Sequence, residues 1–478
     1  MSETARISLL NRTVQNLREA WRDMAGRTSE IFSTSPSPGL PDREVELIRA
    51  QLRDCLKARG GEVSARSRAA SLGREYLSLN DRGRKRFLQI LARDFDVDRA
   101  AVNQAIAALQ GAGTDSQQRS AAELALRQAL EPPRLRLLTQ FNVLPEGFRF
   151  LVDLRALLLK LRQEDADLAA LEQDLMTLLV TWFDVGFLEL RRITWDSPAS
   201  LLEKLIAYEA VHAIRSWNDL KNRLGSDRRV FAFFHPRMPD EPLIFVQVAL
   251  VNGISDNVHA LLDERAPVLD PAEADTAIFY SITNTQAGLA GISFGDFLIK
   301  RVVDLLATEF SNLNKFATLS PIPGFRAWLD ARLAAAANKA QPDLLLPSER
   351  KALSSLPLKA GDQDPITVVL AMPDWHQHRD YPGVLKGPLM RLCAQYLVQE
   401  KRPKGGAYDR VAHFHLSNGA RVERINWLAN VSPEGLAQSA GMMVNYRYKL
   451  EDIESNHEAY RGEGKVRASS AVRSLLRV

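Results

Sequence analysis

Between Thr276 and Phe325 the sequence reads as a strand, a glycine-studded loop, a helix and a second strand that closes on Ser-Pro-Ile-Pro-Gly. The apolar run from Ala277 to Ile282 feeds a loop carrying Gly288, Gly291 and Gly295. A helix is expected to open near Asp296, with Phe297, Leu298, Val302, Leu305 and Leu306 as its buried stripe. This order commits the region to α/β architecture and has the makings of an anion cradle. Glycines let the backbone approach a phosphate, and a helix start supplies free N–H groups and the positive end of its dipole. An ordinary strand-loop-helix crossover accounts for the same residues without a ligand, so the rest of the chain has to decide.

The chain has 478 residues, 46% hydrophobic and 25% charged, enough for a large core and two or three domains. Its 62 basic and 58 acidic residues leave a net charge of only +4, a weak basis for nucleic-acid binding, which is not expected. Two distant cysteines, Cys55 and Cys393, imply neither a disulfide framework nor a cysteine-rich metal site. No run approaches the roughly 20 apolar residues that span a bilayer. The N-terminal stretch lacks an apolar signal core and contains Glu3, Glu19 and Asp23, and the last residues carry no peroxisomal tripeptide, so a cytoplasmic address is expected.

From Ala5 to about Leu190 the pattern is helical. Pro41 followed by Asp42, Glu44 and Glu46 marks a helix start, as do Asn80-Asp81, Asp96 to Asp98 and Pro145-Glu146. Leu151, Leu154, Leu157, Leu158 and Leu161, then Leu168, Leu171, Leu175 and Leu178, recur at the spacing of a helix bundle. The basic cluster Arg82, Arg84, Lys85 and Arg86 fits a solvated helix face, because acids flank it and no aromatic interrupts it. After two more helices (Leu201 to Ala213 and Trp217 to Leu224) the period changes. Arg229 to His235 and Pro242 to Val251 predict a hairpin, and strands are expected from Ala277, from Phe316, over Val411 to Leu416, over Arg421 to Trp427 and over Met442 to Lys449. A helix is placed at Pro388 to Glu400, and the proline-rich stretch Ala334 to Trp375 reads as an irregular insertion. The fold class is therefore an N-terminal all-helical bundle (residues 1–192) followed by a mixed-sheet α/β domain (residues 193–478).

Strand, glycine loop and helix in this order resemble the acyl-CoA-binding crossover of the GNAT acetyltransferase fold. That fold's pyrophosphate pattern, Gln/Arg-x-x-Gly-x-Gly/Ala, falls on Ala290 to Gly295, where Ala290 replaces the leading residue and Ser293 the first glycine. The blocks FYSITNTQAGLAGISFGDFLIKRVV, LSPIPGF, PLMRLCAQYL, VAHFHLSNGA, RINWLANVSPEG and NYRY, in this order, resemble the malonyl-CoA decarboxylase family. Thr194 to Pro198 and EAVHAIRSWNDLKNRLG extend the likeness, which covers the C-terminal half and weakens in the helical half. The resemblance implies a helical domain used in oligomerisation, as a homodimer or homotetramer, and a GNAT-like domain that turns malonyl-CoA into acetyl-CoA and carbon dioxide. It implies Ser320 and His415 as the catalytic pair and Tyr448 as a further site residue. Ala290, Gly291, Ile292, Ser293, Phe294, Gly295 and Asp296 are the implied CoA-binding loop. No metal and no separate cofactor are expected, since CoA is part of the substrate.

The chemistry makes sense of these residue types. Loss of carbon dioxide from a malonyl thioester leaves an electron pair that the thioester oxygen accepts as an enolate. The protein must then supply donors for the developing charge and an acid for C2. An imidazole is suited to the second task. Plainer accounts exist: Ser320 before Pro321 can cap a turn, His415 can be a satisfied core histidine, and Tyr446 and Tyr448 can be sheet-face aromatics. His413 with His415, or His376 with His378, could form a metal pair, although neither has a clear third ligand. Competing functions are a CoA-dependent acyltransferase, a non-catalytic acyl-CoA sensor or scaffold, and a hydrolase, the last lacking a Gly-x-Ser-x-Gly elbow around Ser320.

Overall fold

The computed structural model describes residues 15–22, 36–57, 61–292, 298–338, 342–358, 364–403 and 405–477. Two compact units emerge. One contains Met1–Glu189, Phe233–Leu243 and Asn284–Phe294; the other contains Leu190–Ala232, Ile244–Thr283 and Gly295–Val478. Among the described residues no helix is long and apolar enough to cross a membrane. Cys55 and Cys393 are both free and buried.

The first unit is mainly helical, and its helices begin where short polar side chains can cap them. Asn80 accepts the Gly83 N–H at 3.0 Å at the start of Asp81–Asp94. Asp98, Asp115 and Asp165 cap Arg99–Gly111, Ser116–Ala129 and Ala166–Trp182 in the same way. Each cap satisfies an otherwise orphaned donor, a contribution of about 1 kcal/mol. The leucine stripe is borne out in part: Leu151, Leu154 and Leu158 of helix Gly147–Leu161 and Leu168, Leu171 and Leu175 of helix Ala166–Trp182 are buried, whereas Leu157, Leu161 and Leu178 are half-buried. Between these helices Arg155 Nη2 meets Glu172 at 2.8 Å and Arg162 Nη1 meets it at 2.6 Å. Arg155 Nη1 also donates to the Gly288 carbonyl at 2.6 Å, which ties the glycine loop to the unit. A Cβ at Gly288 would lie 1.8 Å from the Val152 carbonyl oxygen, so close packing against a helix accounts for this glycine.

The second unit is built on one sheet. The sheet, most of whose residues belong to this unit, has strands β1 (Glu189–Ile193), β2 (Arg228–His235), β3 (Met238–Val251), β4 (Thr276–Asn284), β5 (Lys315–Thr318), β6 (Ser320–Pro321), β7 (Arg421–Asn426) and β8 (Met443–Tyr448). They run in the order β1-β2-β3-β4-β5-β8-β6, with β7 also paired to β8. The hairpin, the crossover and the two late strands stand where the alternation put them. β1, five polar and apolar residues without clean alternation, was not anticipated. β4 and β5 are parallel, joined through helix Leu298–Glu309, and their register ends at Phe279 opposite Thr318. β8 is antiparallel to β5, β6 and β7. One face packs Ile278, Tyr280, Ala317, Leu319 and Met443 into a common core.

Three expectations need correction. Val411 to Leu416 is not a strand but the body of helix Arg410–Ser417. Asp409 caps it, accepting the Val411 and Ala412 N–H groups at 2.9 Å each, and this outweighs the β-like alternation of a short aromatic run. The helix placed at Pro388 begins earlier, at Tyr381, and carries Pro388 inside it. Within the stretch read as irregular lie helices Pro347–Ser354 and Pro365–Ala371, each opened by its proline.

Candidate active site

The β5-to-β6 junction places Ser320. At Thr318 side chains take over from the backbone ladder: Thr318 Oγ1 accepts the Tyr446 N–H at 3.1 Å, and Asn445 Nδ2 donates to the Thr318 carbonyl at 2.7 Å. The Leu319 N–H still donates to the Phe279 carbonyl at 3.0 Å, and Ser320 then pairs with Val444 of β8. Thr318 and Ser320, two residues apart, share one face, and Ser320 Oγ donates to Thr318 Oγ1 at 2.8 Å.

His415 approaches from helix Arg410–Ser417. Its Nε2 lies 3.1 Å from Ser320 Oγ and its Nδ1 lies 2.8 Å from the Tyr448 hydroxyl. Its ring stacks on Tyr446 at 4.6 Å between centroids, with an interplanar angle of 24°. With Ser320 donating to Thr318, Nε2 carries the ring proton toward Ser320 and Nδ1 accepts from Tyr448. The result is one directional chain, Tyr448 to His415 to Ser320 to Thr318. All four residues are buried. Burial pushes the His415 imidazole down to about 3, so the ring is neutral near pH 7, and it holds the Tyr448 phenol well above its usual range, keeping its proton in place. The Tyr446 hydroxyl is buried with no hydrogen-bond partner among the described residues.

Ser320, His415 and Tyr448 are therefore brought together by residues from two strands and one helix. The alternation of a strand could have drawn attention to Thr318, and the helix-capping habit of aspartate to Asp409; neither was singled out. His413 does not share His415's surroundings. On a helix, two residues apart means different faces, and His413 Nδ1 instead meets the Tyr460 hydroxyl at 2.7 Å. The metal pair that a strand would have made of these histidines thus falls with the strand. His378 stacks on Tyr381 at 3.8 Å, and its Nδ1 accepts the Asp380 N–H at 3.2 Å. Among the described residues no group of three or more His, Cys, Asp or Glu gathers in a way that could hold a metal ion.

Of the expected CoA loop, Ala290, Gly291 and Ile292 belong to the first unit, following the single turn Ala287–Leu289. Gly291 has φ of +78°, a left-handed conformation that a side chain would strain, and the Ile292 N–H donates to the Leu289 carbonyl at 3.1 Å. Ser293, Phe294, Gly295 and Asp296, together with the expected helix start, lie outside the described residues.

The family model described as the malonyl-CoA decarboxylase C-terminal domain matches residues 186–478, and the N-terminal domain of the same family matches residues 95–183. The chain belongs to the malonyl-CoA decarboxylase family. The mitochondrial malonyl-CoA decarboxylase of Anser anser anser is 39% identical over 423 residues, covering 86% of this chain and 84% of that protein. That of Rattus norvegicus is 37% identical over 454 residues, covering 92% and 88%. Among solved structures, malonyl-CoA decarboxylase from Rhodopseudomonas palustris is 42% identical with a TM-score of 0.81, covering 90% of this chain and 99% of that one. The enzyme from Agrobacterium vitis is 41% identical with a TM-score of 0.80, covering 90% and 100%. A helical region followed by a mixed-sheet domain is thus the malonyl-CoA decarboxylase architecture.

Proposed function

We propose that this protein decarboxylates malonyl-CoA to acetyl-CoA and carbon dioxide, with His415 as the general acid and base. The observation that carries the reading is that both His415 nitrogens face hydroxyl groups, Ser320 on one side and Tyr448 on the other. A hydroxyl can donate or accept, so the imidazole can gain or lose a proton without losing either partner. Desolvation by burial holds the ring neutral; a malonyl carboxylate brought beside it offsets that penalty and draws a proton onto the ring.

The C2–carboxylate bond then breaks, its electron pair enters the thioester as an enolate, and carbon dioxide leaves. C2 takes up one proton, which travels from His415 Nε2 through the Ser320 hydroxyl. Tyr448 fixes the ring from behind and accepts from Nδ1 while the imidazolium lasts. The substrate is its own electron sink, which supports a reaction that draws on no further cofactor. The loop from Ala290 to Asp296 is the proposed cradle for the CoA pyrophosphate, a role supported by the left-handed Gly291.

Homo-oligomerisation through the helical unit is part of the same reading. It is supported by the exposed Leu124 and Leu130 on and just after helix Ser116–Ala129, 56% and 52% exposed, beside the exposed Ile106 of the preceding helix. A cytoplasmic address remains the proposal from the sequence, beside relatives named as mitochondrial, and cell fractionation decides it. The test of function is incubation with malonyl-CoA and no acyl acceptor. Stoichiometric acetyl-CoA and carbon dioxide support the proposal; an unchanged thioester overturns it, and free CoA would point to hydrolysis instead.

A further inference from the structure

We propose a separate anion-binding site in the second unit, in a cavity of about 670 Å³ beside β7. Its walls carry Arg421, Arg424, Arg467 and Arg473 against two carboxylates, Glu423 and Asp452. Both carboxylates are already engaged: Glu423 with Arg421 at 2.7 Å and Arg447 at 3.5 Å, and Asp452 with Lys449 at 3.7 Å. Among the described residues no carboxylate pairs with Arg424, Arg467 or Arg473. Arg424 donates to the side-chain oxygens of Asn426 and Asn445 and to the Ile254 carbonyl, and Arg473 donates to the Ala468 carbonyl at 2.6 Å. Arg424 and Arg473 have neutral partners and Arg467 pairs with no carboxylate among the described residues, so three guanidinium groups line one concavity where like charges repel each other. A multiply charged anion removes that repulsion, and the planar fork of arginine matches phosphate oxygens.

The wall is also fixed in place. The Val422 N–H donates to the Arg467 carbonyl and the Ser469 N–H to the Val422 carbonyl, both at 2.9 Å, while Ser469 Oγ donates to the Glu423 carbonyl at 2.6 Å. None of the lining residues belongs to the Ser320–His415–Tyr448 chain. Strand alternation turns Arg447 away from Tyr446 and Tyr448, so β8 presents its arginine and its tyrosines to opposite faces. The cavity is of a size that holds nucleotide-sized ligands, yet no aromatic side chain lines it. It therefore reads phosphate charge rather than a base, and the ligand class is a small polyphosphate anion, free or borne by a nucleotide.

The test is calorimetric titration of the full-length protein with inorganic tripolyphosphate, with ATP as a second arm. A single site with a Kd on the order of 0.1 mM is expected, weakening as salt rises. Arg467→Gln with Arg473→Gln should weaken it by about tenfold or more, as should Ala471→Glu, which places a carboxylate on the exposed first turn of helix Ser470–Leu475. These variants should turn over malonyl-CoA within about twofold of wild type in the absence of tripolyphosphate, which checks that they fold. ATP binding much tighter than tripolyphosphate identifies a nucleotide as the source; equal binding identifies the phosphates alone. Absence of binding, unchanged affinity in the variants, or competition between tripolyphosphate and malonyl-CoA overturns the proposal. Because binding is read directly, a failure here is distinct from a failure of the decarboxylase assignment.

Discussion

Two histidines of the second unit, His212 and His415, are both buried, yet only His415 has the surroundings on which the proposed proton transfer rests. Burial pushes His212 down to about 4, with the Arg223 charge adding to the effect, and pushes His415 down to about 3. Both rings are neutral near pH 7. Their neighbours differ. His212 Nε2 meets no partner among the described residues and the ring's hydrogen bond goes to the Tyr280 backbone, while the residue's own N–H donates to Glu209 at 2.9 Å and its carbonyl accepts from Arg223 at 2.8 Å. His415 has a hydroxyl on each ring nitrogen and lies against β8 beside the end of the parallel ladder. A depressed proton affinity follows from desolvation alone, so it does not mark a catalytic residue. The proposal for His415 rests instead on a pair of partners that can both give and receive a proton.

That contrast can be broken or sharpened by experiment. The largest effect is expected for His415→Ala, which should lower turnover by about 10² to 10⁴ with little change in CoA affinity. His212→Gln should stay within about tenfold of wild type; an equal fall in the two variants, measured as steady-state acetyl-CoA formation, would erase the distinction. Ser320→Ala comes next, removing the hydroxyl proposed to relay the proton from Nε2, with a loss of about 10² to 10³ in kcat. Tyr448→Phe keeps the ring beside Phe279 but removes the bond to Nδ1. A hydrogen bond of about 1 to 1.5 kcal/mol corresponds to a roughly tenfold fall in kcat.

Stability against pH is a quieter test. Each histidine binds a proton more readily unfolded, near 6.5, than folded, at about 4 for His212 and about 3 for His415. Between those values the unfolded chain holds more protons, so stability falls as pH drops below about 6.5, by up to about 1.4 kcal/mol per pH unit for each ring. Urea melts at pH 7, 6 and 5 should show the slope, and His212→Gln should flatten it by one ring's share while turnover persists. The smallest effect on chemistry is expected from Leu124→Asp, away from both histidines. If the helical unit assembles copies of the chain as proposed, it should lower the mass seen in light scattering toward that of a monomer, and it should leave kcat within about twofold.

Much of the fold was legible in the residues. The helix starts at Asn80-Asp81 and Asp96 to Asp98, most of the leucine stripe and the hairpin declare themselves locally, because a 3.6-residue or two-residue period and a short polar cap need no tertiary context. Ser320, His415 and Tyr448 stood out through the resemblance of their motifs. Their mutual contacts were not legible, since they depend on a β5–β6 junction at Thr318 that no period encodes. The misreading of Val411 to Leu416 has the same root. Six alternating residues fit a strand, and only weight given to Asp409 as a cap separates the two outcomes. Gly288 shows a different limit: in the sequence it is one more loop glycine, and only the Val152 carbonyl reveals why it has no side chain.

The most direct test of the account is a single-turnover reaction in D₂O, comparing wild type with His415→Ala at saturating malonyl-CoA. The account predicts that wild type converts the thioester fully to acetyl-CoA carrying one deuterium on its methyl group, and that the variant slows this step by about 10² or more. Full-speed formation of the same deuterated product by His415→Ala would contradict it.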